Sequence, residues 1–187
     1  VCNDFQSPDR IWINMGDGRF KAMDDNRIRQ TSLFSMGLDF SDINRDGLSD
    51  LFVVDMLSRS HLRRMVQVMD GMAFAQYRDT LQARPQSPRN TLFIQRNNQT
   101  FSETARYSGV EASDWSWCPV FLDVDLDGYE DLLITTGHWR DAQNADVSRD
   151  LDAMIQAGNY THAQKLAMRS RFPVLNTPNI VFKNVGN

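Results

Sequence analysis

The chain has 187 residues, a net charge of −4, and a hydrophobic fraction of 41% that is ordinary for a soluble globular protein. This length allows one domain with its own core, and the acidic balance argues against nucleic acid as a partner. No apolar run reaches the ~18 residues that would indicate a transmembrane helix. The first residues, VCNDFQSPDR, lack the pattern of a signal peptide, so we expect any export signal to lie outside this chain.

The first predicted element is a strand–turn–strand hairpin over Ile11–Met23. Gly16-Asp17-Gly18 supplies residues that favour a tight turn. The segment RIWINMGDGRF matches TLFIQRNNQTF 81 residues later, although the second copy lacks the turn glycines, which predicts a looser turn. A third copy begins over residues 178–187 with NIVFKNVGN and is cut short, which predicts a fragment of a longer repeat array.

A second kind of unit consists of a strand, an acidic loop and another strand. SMGLDFSDINRDGLSDLFVV and SWCPVFLDVDLDGYEDLLIT are copies with the same offset of 81. The short apolar segments LFVV and LLIT are typical of buried strands. Four short antiparallel strands per repeat favour a mostly β fold, either a β-propeller blade or a sandwich.

Two longer segments interrupt the repeats and predict helical insertions. Residues 57–88 and 140–176 both follow the strand after an acidic loop, and both carry apolar residues at helical spacing. We expect these apolar stripes to pack on their own domain rather than to form an adaptable, methionine-rich binding face. The stripe residues are Leu62, Met65, Val66, Met69 and Ala73 in the first insertion, and Val147, Leu151, Met154, Ile155, Ala163, Leu166 and Ala167 in the second.

The acidic loops predict two cation sites. In loop 1 (residues 42–50) and loop 2 (residues 123–131), oxygen-bearing side chains stand at positions 1, 3, 5 and 9, a glycine stands at position 6, and the carbonyl of position 7 can face inward. Hard oxygen donors without His or Cys favour Ca²⁺, and Mg²⁺ fits less well because it retains several waters. The predicted ligands are Asp42, Asn44, Asp46, Leu48 and Asp50 in loop 1, and Asp123, Asp125, Asp127, Tyr129 and Asp131 in loop 2.

The alternatives are a solvated turn without metal and an EF-hand. Two copies in register disfavour the solvated turn, and an EF-hand would need a Glu at position 12, where Val53 and Ile134 stand. Two carboxylates ~4 Å apart repel by about 1–4 kcal/mol, a penalty that a bound cation converts to attraction. Loop 2 has four carboxylates and loop 1 has three plus the Asn44 amide, so we expect loop 2 to bind more tightly.

At these residues the chain resembles the FG-GAP or VCBS repeat, the calcium-bearing blade of integrin-α-type β-propellers, and in form the repeats of cartilage acidic protein and ASPIC/UnbV-associated proteins. The resemblance covers residues 5–56, 89–139 and 178–187. It implies that each calcium loop joins the two innermost strands of a blade. It also implies that the insertions emerge on the opposite face, where they would shape a binding surface.

The resemblance further implies an extracellular, periplasmic or cell-surface module for protein or glycan binding or adhesion, completed by further blades. The alternative is a propeller enzyme, a lyase or hydrolase acting on polysaccharide. No paired-carboxylate constellation for such chemistry can be assigned, because the metal loops account for the obvious acidic residues. We therefore expect a binding module rather than an enzyme.

The remaining candidates have structural interpretations. Trp115 and Trp117 could stack on sugar rings, but we expect them to pack between blades. His138 has no evident catalytic partner and reads as a loop or packing residue, and His61 and His162 read as surface residues.

The cysteines and the arginine cluster likewise give no indication of a catalytic site. We expect Cys2 and Cys118 to be unrelated thiols rather than a disulfide, with Cys118 a small buried residue in the place of Gly37. We expect the cluster of Arg59, Arg63 and Arg64 to form a solvent-exposed helix face. The alternative is that these arginines bind an acidic partner.

Overall fold

The computed structural model describes residues 1–4, 7–67 and 84–186. The fold is mostly β, with several small sheets and few helices, and the described part contains no sheet that closes on itself. The strands are β1 Trp12–Asn14, β2 Phe20–Ala22, β3 Thr31–Ser32, β4 Gly37–Ser41, β5 Asp50–Val54, β6 Gln86–Ser87, β7 Thr91–Gln95, β8 Phe101–Glu103, β9 Ser116–Leu122, β10 Asp131–Thr136 and β11 Ile180–Phe182. The helices are α1 His61–Arg64, α2 Ala145–Ala157 and α3 His162–Met168, with a 3₁₀ turn over Arg169–Arg171.

The strands follow the repeats of the sequence. An antiparallel sheet has the order β4-β5-β7-β8, and a second has the order β11-β10-β9. Loop 1 joins β4 to β5, and loop 2 joins β9 to β10 in the same way. The β1–β2 hairpin, which pairs Trp12 with Ala22, is the equivalent of β7–β8. The Asn98–Gln99 turn has no glycine. Gln99, which stands where Gly18 stands in the first hairpin, takes the left-handed φ of 63° itself.

The two sheets pack face to face over the main hydrophobic core. Phe52 and Val54 of β5 are fully buried against Ile134 of β10, because the apolar strand LFVV presents residues to both faces of its sheet. The edge strands β4 and β9 approach so closely that a Cβ atom at Gly37 would lie 2.5 Å from the carbonyl oxygen of Trp117. Only glycine therefore fits at this crossing.

The opposite face of the first sheet is only partly covered by the β1–β2 hairpin, and a cavity of about 620 Å³ lies between them. Leu51 and Val53 of β5 join Phe93 in a second core, against which Ile11 and Met23 of the hairpin pack. Hairpin, first sheet and second sheet therefore form successive layers, each continuing the repeat.

The first insertion is described only at its two ends, residues 57–67 and 84–88. Among its described residues only α1 is helical, a single turn in which Leu62 is 79% exposed and the following Met65 is 71% exposed. A single turn has no continuous stripe to bury, so the expectation that these two residues pack on the domain is wrong. The last residues of the first insertion form strand β6, which pairs in parallel with β3. The predicted stripe residues Met69 and Ala73 lie outside the described residues.

The second insertion is helical, but only one of its helices buries an apolar residue. Asn144 caps α2 by accepting the Val147 N–H at 3.1 Å, and Leu151 of α2 is buried. Helix α3 begins with a capping box at Thr161 and leaves Leu166 54% exposed, so the prediction of packing is wrong there. Within the described ranges, no helix has both the length and the apolar character needed to cross a membrane.

Candidate metal centre

Loops 1 and 2 have the same backbone conformation. Position 4 takes a left-handed φ in both, 58° at Arg45 and 60° at Leu126, and the position-6 glycines follow at 84° and 88°. Non-glycine residues with positive φ are uncommon. Their recurrence at one position in two copies shows that the repeat encodes a defined loop shape rather than only an acidic composition.

Each loop is folded around its first aspartate. In loop 1, Asp42 accepts the N–H of Asp46 at 2.9 Å and that of Gly47 at 2.8 Å. Asp46 in turn accepts the Leu48 N–H at 2.9 Å. Loop 2 repeats these bonds from Asp127 and Gly128 to Asp123 at 3.0 and 2.9 Å, and from Tyr129 to Asp127 at 2.9 Å.

The position-9 aspartates connect each loop to the third strand of its sheet. Asp50 is fully buried and accepts the Ile43 N–H at 3.2 Å and the Gln95 N–H at 2.9 Å. Asp131 is 2% exposed and accepts an N–H from loop 2 and another from Asn184 at 2.8 Å. Burial raises the pKa of Asp50, and the nearby carboxylates of loop 1 raise it further against the effect of the two N–H bonds. A cation beside Asp50 would relieve that repulsion.

The donor set of loop 2 fits a divalent cation. Carboxylate oxygens of Asp123, Asp125 and Asp127 lie within 4.8 Å of one another. A cationic group contacts two of these three residues, because the Lys183 ammonium bonds Asp125 and lies 3.3 Å from Asp127. The N–H bond from Tyr129, with smaller contributions from Lys183, holds the pKa of Asp127 below its usual value. Calcium ions prefer hard oxygen ligands, and these carboxylates already bind a positive group.

In loop 1, Asn44 has a different role from its counterpart Asp125. Its amide nitrogen donates to Asp46 at 3.1 Å, and its amide oxygen accepts the Asp46 N–H at 3.2 Å. Two carboxylates and an amide therefore face one another at positions 1, 3 and 5.

The two loops also touch each other, which the sequence pattern did not reveal. The Arg45 guanidinium of loop 1 lies over the Tyr129 ring of loop 2, 3.9 Å from its centroid. Asn184, after β11, donates to the Ile43 carbonyl of loop 1 at 2.9 Å and to the Glu130 carbonyl of loop 2 at 3.3 Å. The acidic loops of neighbouring sheets thus form one continuous surface, which we call the loop end.

At the opposite ends of the strands, the two insertions join each other. Gln67 donates to Gln143 at 2.8 Å and to the Met56 carbonyl at 3.0 Å, and the Ala145 N–H donates to the Val66 carbonyl at 2.7 Å. We call this junction the insertion end. The contacts between the two insertions join residues far apart in sequence, so no local motif predicts them.

A buried charge cluster lies beneath this junction. Asp114, 7% exposed, accepts from Ser58 at 2.9 Å and from the Arg63 guanidinium. Burial raises the pKa of Asp141, which is 6% exposed, and Arg63 lowers it in part. Arg64 lies 3.9 Å from Glu111. The expectation of a solvated arginine face is therefore wrong for Arg63 and Arg64, because acidic residues of this same chain pair with them.

The aromatic residues at this end are divided between packing and exposure. Trp115 stacks on His138 with 4.1 Å between ring centroids, as expected for packing residues. Trp117 is 46% exposed and donates to the Gly137 carbonyl at 2.7 Å, and Trp139 is 65% exposed. The prediction that Trp117 packs between sheets is wrong, because no described strand covers the outer side of β9.

Cys118 is exposed for the same reason. Its counterpart Gly37 lies under β9, whereas no described strand lies over β9 in turn. The expectation of a buried Cys118 is therefore wrong. Cys2 and Cys118 are both free thiols.

The repeated loops and hairpins agree with a comparison of the sequence with known families. The profile of the FG-GAP-like repeat matches residues 1–53 and 76–134, more than half of the chain. The chain belongs to the FG-GAP-like repeat family. Both acidic loops fall inside the FG-GAP-like match, and residues 140–176 fall outside it. The chain has no significant match among curated proteins or among solved structures.

Proposed function

We propose that this FG-GAP-like chain is a calcium-stabilised binding module of an extracellular, periplasmic or cell-surface protein. One observation carries the proposal: two acidic loops with the same unusual backbone lie side by side on neighbouring sheets, and three carboxylates of loop 2 lie within 4.8 Å. FG-GAP repeats occur in adhesion and propeller-like extracellular proteins, which supports this setting.

The calcium would be structural. Extracellular calcium modules bind at about 10⁻⁴–10⁻³ M, and a ligand at 100 times its dissociation constant stabilises a folded protein by about 2.7 kcal/mol. The ion would replace the repulsion among the carboxylates with attraction and hold the innermost strands of each sheet together at the loop end.

We further propose that the sheets are blades of an integrin-α-like propeller. The sheet β4-β5-β7-β8 would be a complete blade, β1–β2 the outer hairpin of one neighbour, and β9-β10-β11 the first three strands of another. Cross-strand neighbours Val120, Leu133 and Val181 form an apolar row on the outer face of the latter sheet. Val120 is 37% and Val181 50% exposed, whereas Phe52, the counterpart of Leu133, is fully buried by the next sheet. A further blade packed on this row would bury it.

The insertion end is the proposed binding surface. Trp117 and Trp139 expose large aromatic surface there, 46% and 65% of each residue. Exposed aromatic rings suit either a sugar ring or an apolar protein side chain. Ligand-binding residues also commonly lie on long connections that a rigid set of strands holds in place.

Thermal unfolding with calcium and with a chelator tests the metal part of the proposal. For a chain of this size, 1 kcal/mol shifts the Tm by about 2–4 °C, so saturating calcium should raise Tm by at least several degrees. Asp46→Ala and Asp127→Ala should each remove part of that shift, and Asp152→Ala on the exposed side of α2 is the matched control. Equal Tm values with calcium and chelator would contradict the proposal.

A glycan array and a surface-protein pull-down test the binding part. Trp117→Ala and Trp139→Ala should reduce any captured ligand, whereas Trp12→Ala in the distant β1–β2 hairpin should not. A retained ligand in the double variant would place recognition elsewhere.

One candidate site for the enzymatic alternative is a buried acidic pair at the insertion end. The buried pair Asp114 and Asp141, with Arg63, borders a cavity of only about 10 Å³, which is too small for a sugar ring. We therefore propose binding rather than turnover. A screen for lyase and hydrolase activity on acidic polysaccharides would overturn this choice if it detected turnover abolished by Asp141→Asn.

A further inference from the structure

Equivalent positions beside loops 1 and 2 carry different side chains. In both copies the position-9 aspartate accepts an N–H from the end of the third strand or just beyond it, from Gln95 at 2.9 Å in the first sheet and from Asn184 at 2.8 Å in the second. The preceding residues, Ile94 and Lys183, are therefore structural equivalents. Ile94 is apolar and packs against the main core. Lys183 instead directs its ammonium group at the acidic cluster of loop 2.

We propose that Lys183 is a built-in competitor for the calcium ion at loop 2, and that loop 1 has no such lysine among the described residues because Ile94 stands at the equivalent position. The inference rests on the proposed calcium function and deepens it, because it assigns the determinant of affinity at one of the two sites. Calcium binding at loop 2 would have to displace the Lys183 ammonium from Asp125 and Asp127.

The position of Lys183 supports competition rather than a permanent bridge. Its side chain is 55% exposed, and those of Asp125 and Asp127 are 41% and 35% exposed. Exposed ion pairs of this kind contribute little to folding. The ammonium can therefore swing into solvent when a divalent ion arrives. While it remains near the ion, like charges a few ångströms apart repel, and the repulsion weakens affinity.

A second positive group strengthens the contrast between the loops. Arg45 stacks on Tyr129, and its guanidinium lies 2.8 Å from where a Cβ atom of Gly128 would stand. Loop 2 therefore has four carboxylates but two cationic neighbours. The carboxylate count alone predicts that loop 2 binds calcium more tightly, and Lys183 offsets that advantage.

An NMR calcium titration of the 187-residue chain separates the two loops. The amides of Gly47 and Gly128 each donate to the first aspartate of their own loop, at 2.8 and 2.9 Å, so each resonance reports one site. The variants are Lys183→Met, Lys183→Arg as the charge-retaining control, and Ile94→Lys to transplant the charge to loop 1.

Lys183→Met should lower the calcium Kd reported by Gly128 about five- to tenfold at low salt, leave that reported by Gly47 unchanged, and lose most of its effect in 1 M salt. Lys183→Arg should keep the wild-type value. If Ile94→Lys folds, it should weaken the affinity reported by Gly47 by a similar factor.

Two results would overturn the inference, and they are distinguishable. If both glycines respond to calcium but Lys183→Met leaves the Gly128 Kd unchanged, the competition is refuted and the calcium function stands. If neither glycine responds in any variant at 10 mM calcium, the calcium function fails and the competition fails with it.

Discussion

The loop end and the insertion end of this molecule are held together in different ways. At the loop end, two copies of one local motif repeat the same φ angles at positions 4 and 6 and the same carboxylate-to-backbone bonds. At the insertion end, side chains distant in sequence form a single network, such as the pair of Gln67 and Gln143 at 2.8 Å. The two insertions also differ in structure, because the described part of the first has one helical turn and the second has two helices.

This difference separates a repeated scaffold from a junction that is built only once. A loop whose geometry depends on its own residues can be copied from repeat to repeat, and it serves the same purpose in each copy. A network that depends on two non-repeated insertions occurs once among the described residues of this chain. We therefore expect substitutions at the loop end to have paired effects in the two repeats, and substitutions at the insertion end to have effects without a counterpart.

The largest effect should follow from Asp55→Ala, just after β5 at the insertion end. Asp55 is buried and accepts from Ser32 at 2.5 Å and from the N–H groups of Leu33, Phe34 and Met56 at 3.2, 2.9 and 2.5 Å. Removing the carboxylate takes away the buried acceptor of the Ser32 hydroxyl and the Met56 N–H, while the Leu33 N–H keeps its bond to the Ser87 carbonyl at 3.0 Å. We expect a cost of about 3 kcal/mol or more in the free energy of unfolding. Urea denaturation measures the change.

Thr136 stands at the equivalent position of the other repeat and is the control for Asp55. Thr136 is only half-buried, and its hydroxyl donates to the carbonyls of Pro178 at 2.7 Å and Thr177 at 3.3 Å, so Thr136→Ala should cost about 1 kcal/mol or less. Equal losses in the two variants would mean that the repeats are symmetric at this end too.

The next effects should be paired. Asp50→Ala and Asp131→Ala each remove a buried carboxylate that accepts two N–H groups, and each should cost about 2–3 kcal/mol even in a chelator. Asn44→Ala and Asp125→Ala at exposed position 3 should cost about 0.5 kcal/mol or less in a chelator. Urea denaturation with and without calcium checks this separation.

Calcium should change the ranking at position 3. Asp125→Ala would lose a metal ligand and hence part of the calcium-dependent stabilisation. If Asp50→Ala were neutral in a chelator, position 9 would serve only the metal, and the observed bonds to the third strand would not stabilise the fold.

The loop end could be read from the sequence because its signals are local. Gly47 and Gly128 mark the sharp turn, and alternation around them places oxygen donors on one side. The strands LFVV and LLIT were also predictable, since short apolar runs of β-favouring residues between turn signals have few alternatives. The contact of Arg45 with Tyr129 was not predictable, because it depends on how neighbouring sheets are placed.

The insertion end could not be read in the same way. Helical spacing around Leu62 and Met65 predicted a packed helix, but periodicity does not say whether a surface exists for the stripe to cover. Likewise the role of Arg63 depends on Asp114, which lies 51 residues away along the chain and takes a left-handed φ of 63°. Such pairs arise only when the insertions fold against each other.

A smaller effect, without a counterpart in the other repeat, should follow from Arg63→Met. Asp114 is only 7% exposed and would lose its guanidinium partner, while its bonds from Ser58 and from the Arg59 N–H would remain. We expect a loss of about 1–2 kcal/mol in urea denaturation, since removing one partner of a largely buried pair leaves a charge uncompensated. Arg59→Met, which leaves the Arg59 N–H in place, is the control and should be nearly neutral. A neutral Arg63→Met would show that Ser58 and the backbone satisfy Asp114 by themselves.

The smallest effect should be a gain. Because burial raises the pKa of Asp141 above its ordinary 3.8, the folded chain binds that proton more tightly than the unfolded chain. The charged carboxylate therefore reduces stability above the folded pKa, and this cost disappears as the pH falls through the folded pKa toward 3.8. Asp141→Asn should stabilise the chain at pH 7 by about 1 kcal/mol or less.

The difference between Asp141→Asn and wild type should shrink in urea denaturation as the pH is lowered into that interval. Titration of the acidic loops cancels in this difference, because both proteins contain them unchanged. A variant less stable than wild type at pH 7 would mean that the Asp141 charge is needed beside Arg63, and that the insertion end is held by its ion pairs as firmly as the loop end is held by its backbone bonds.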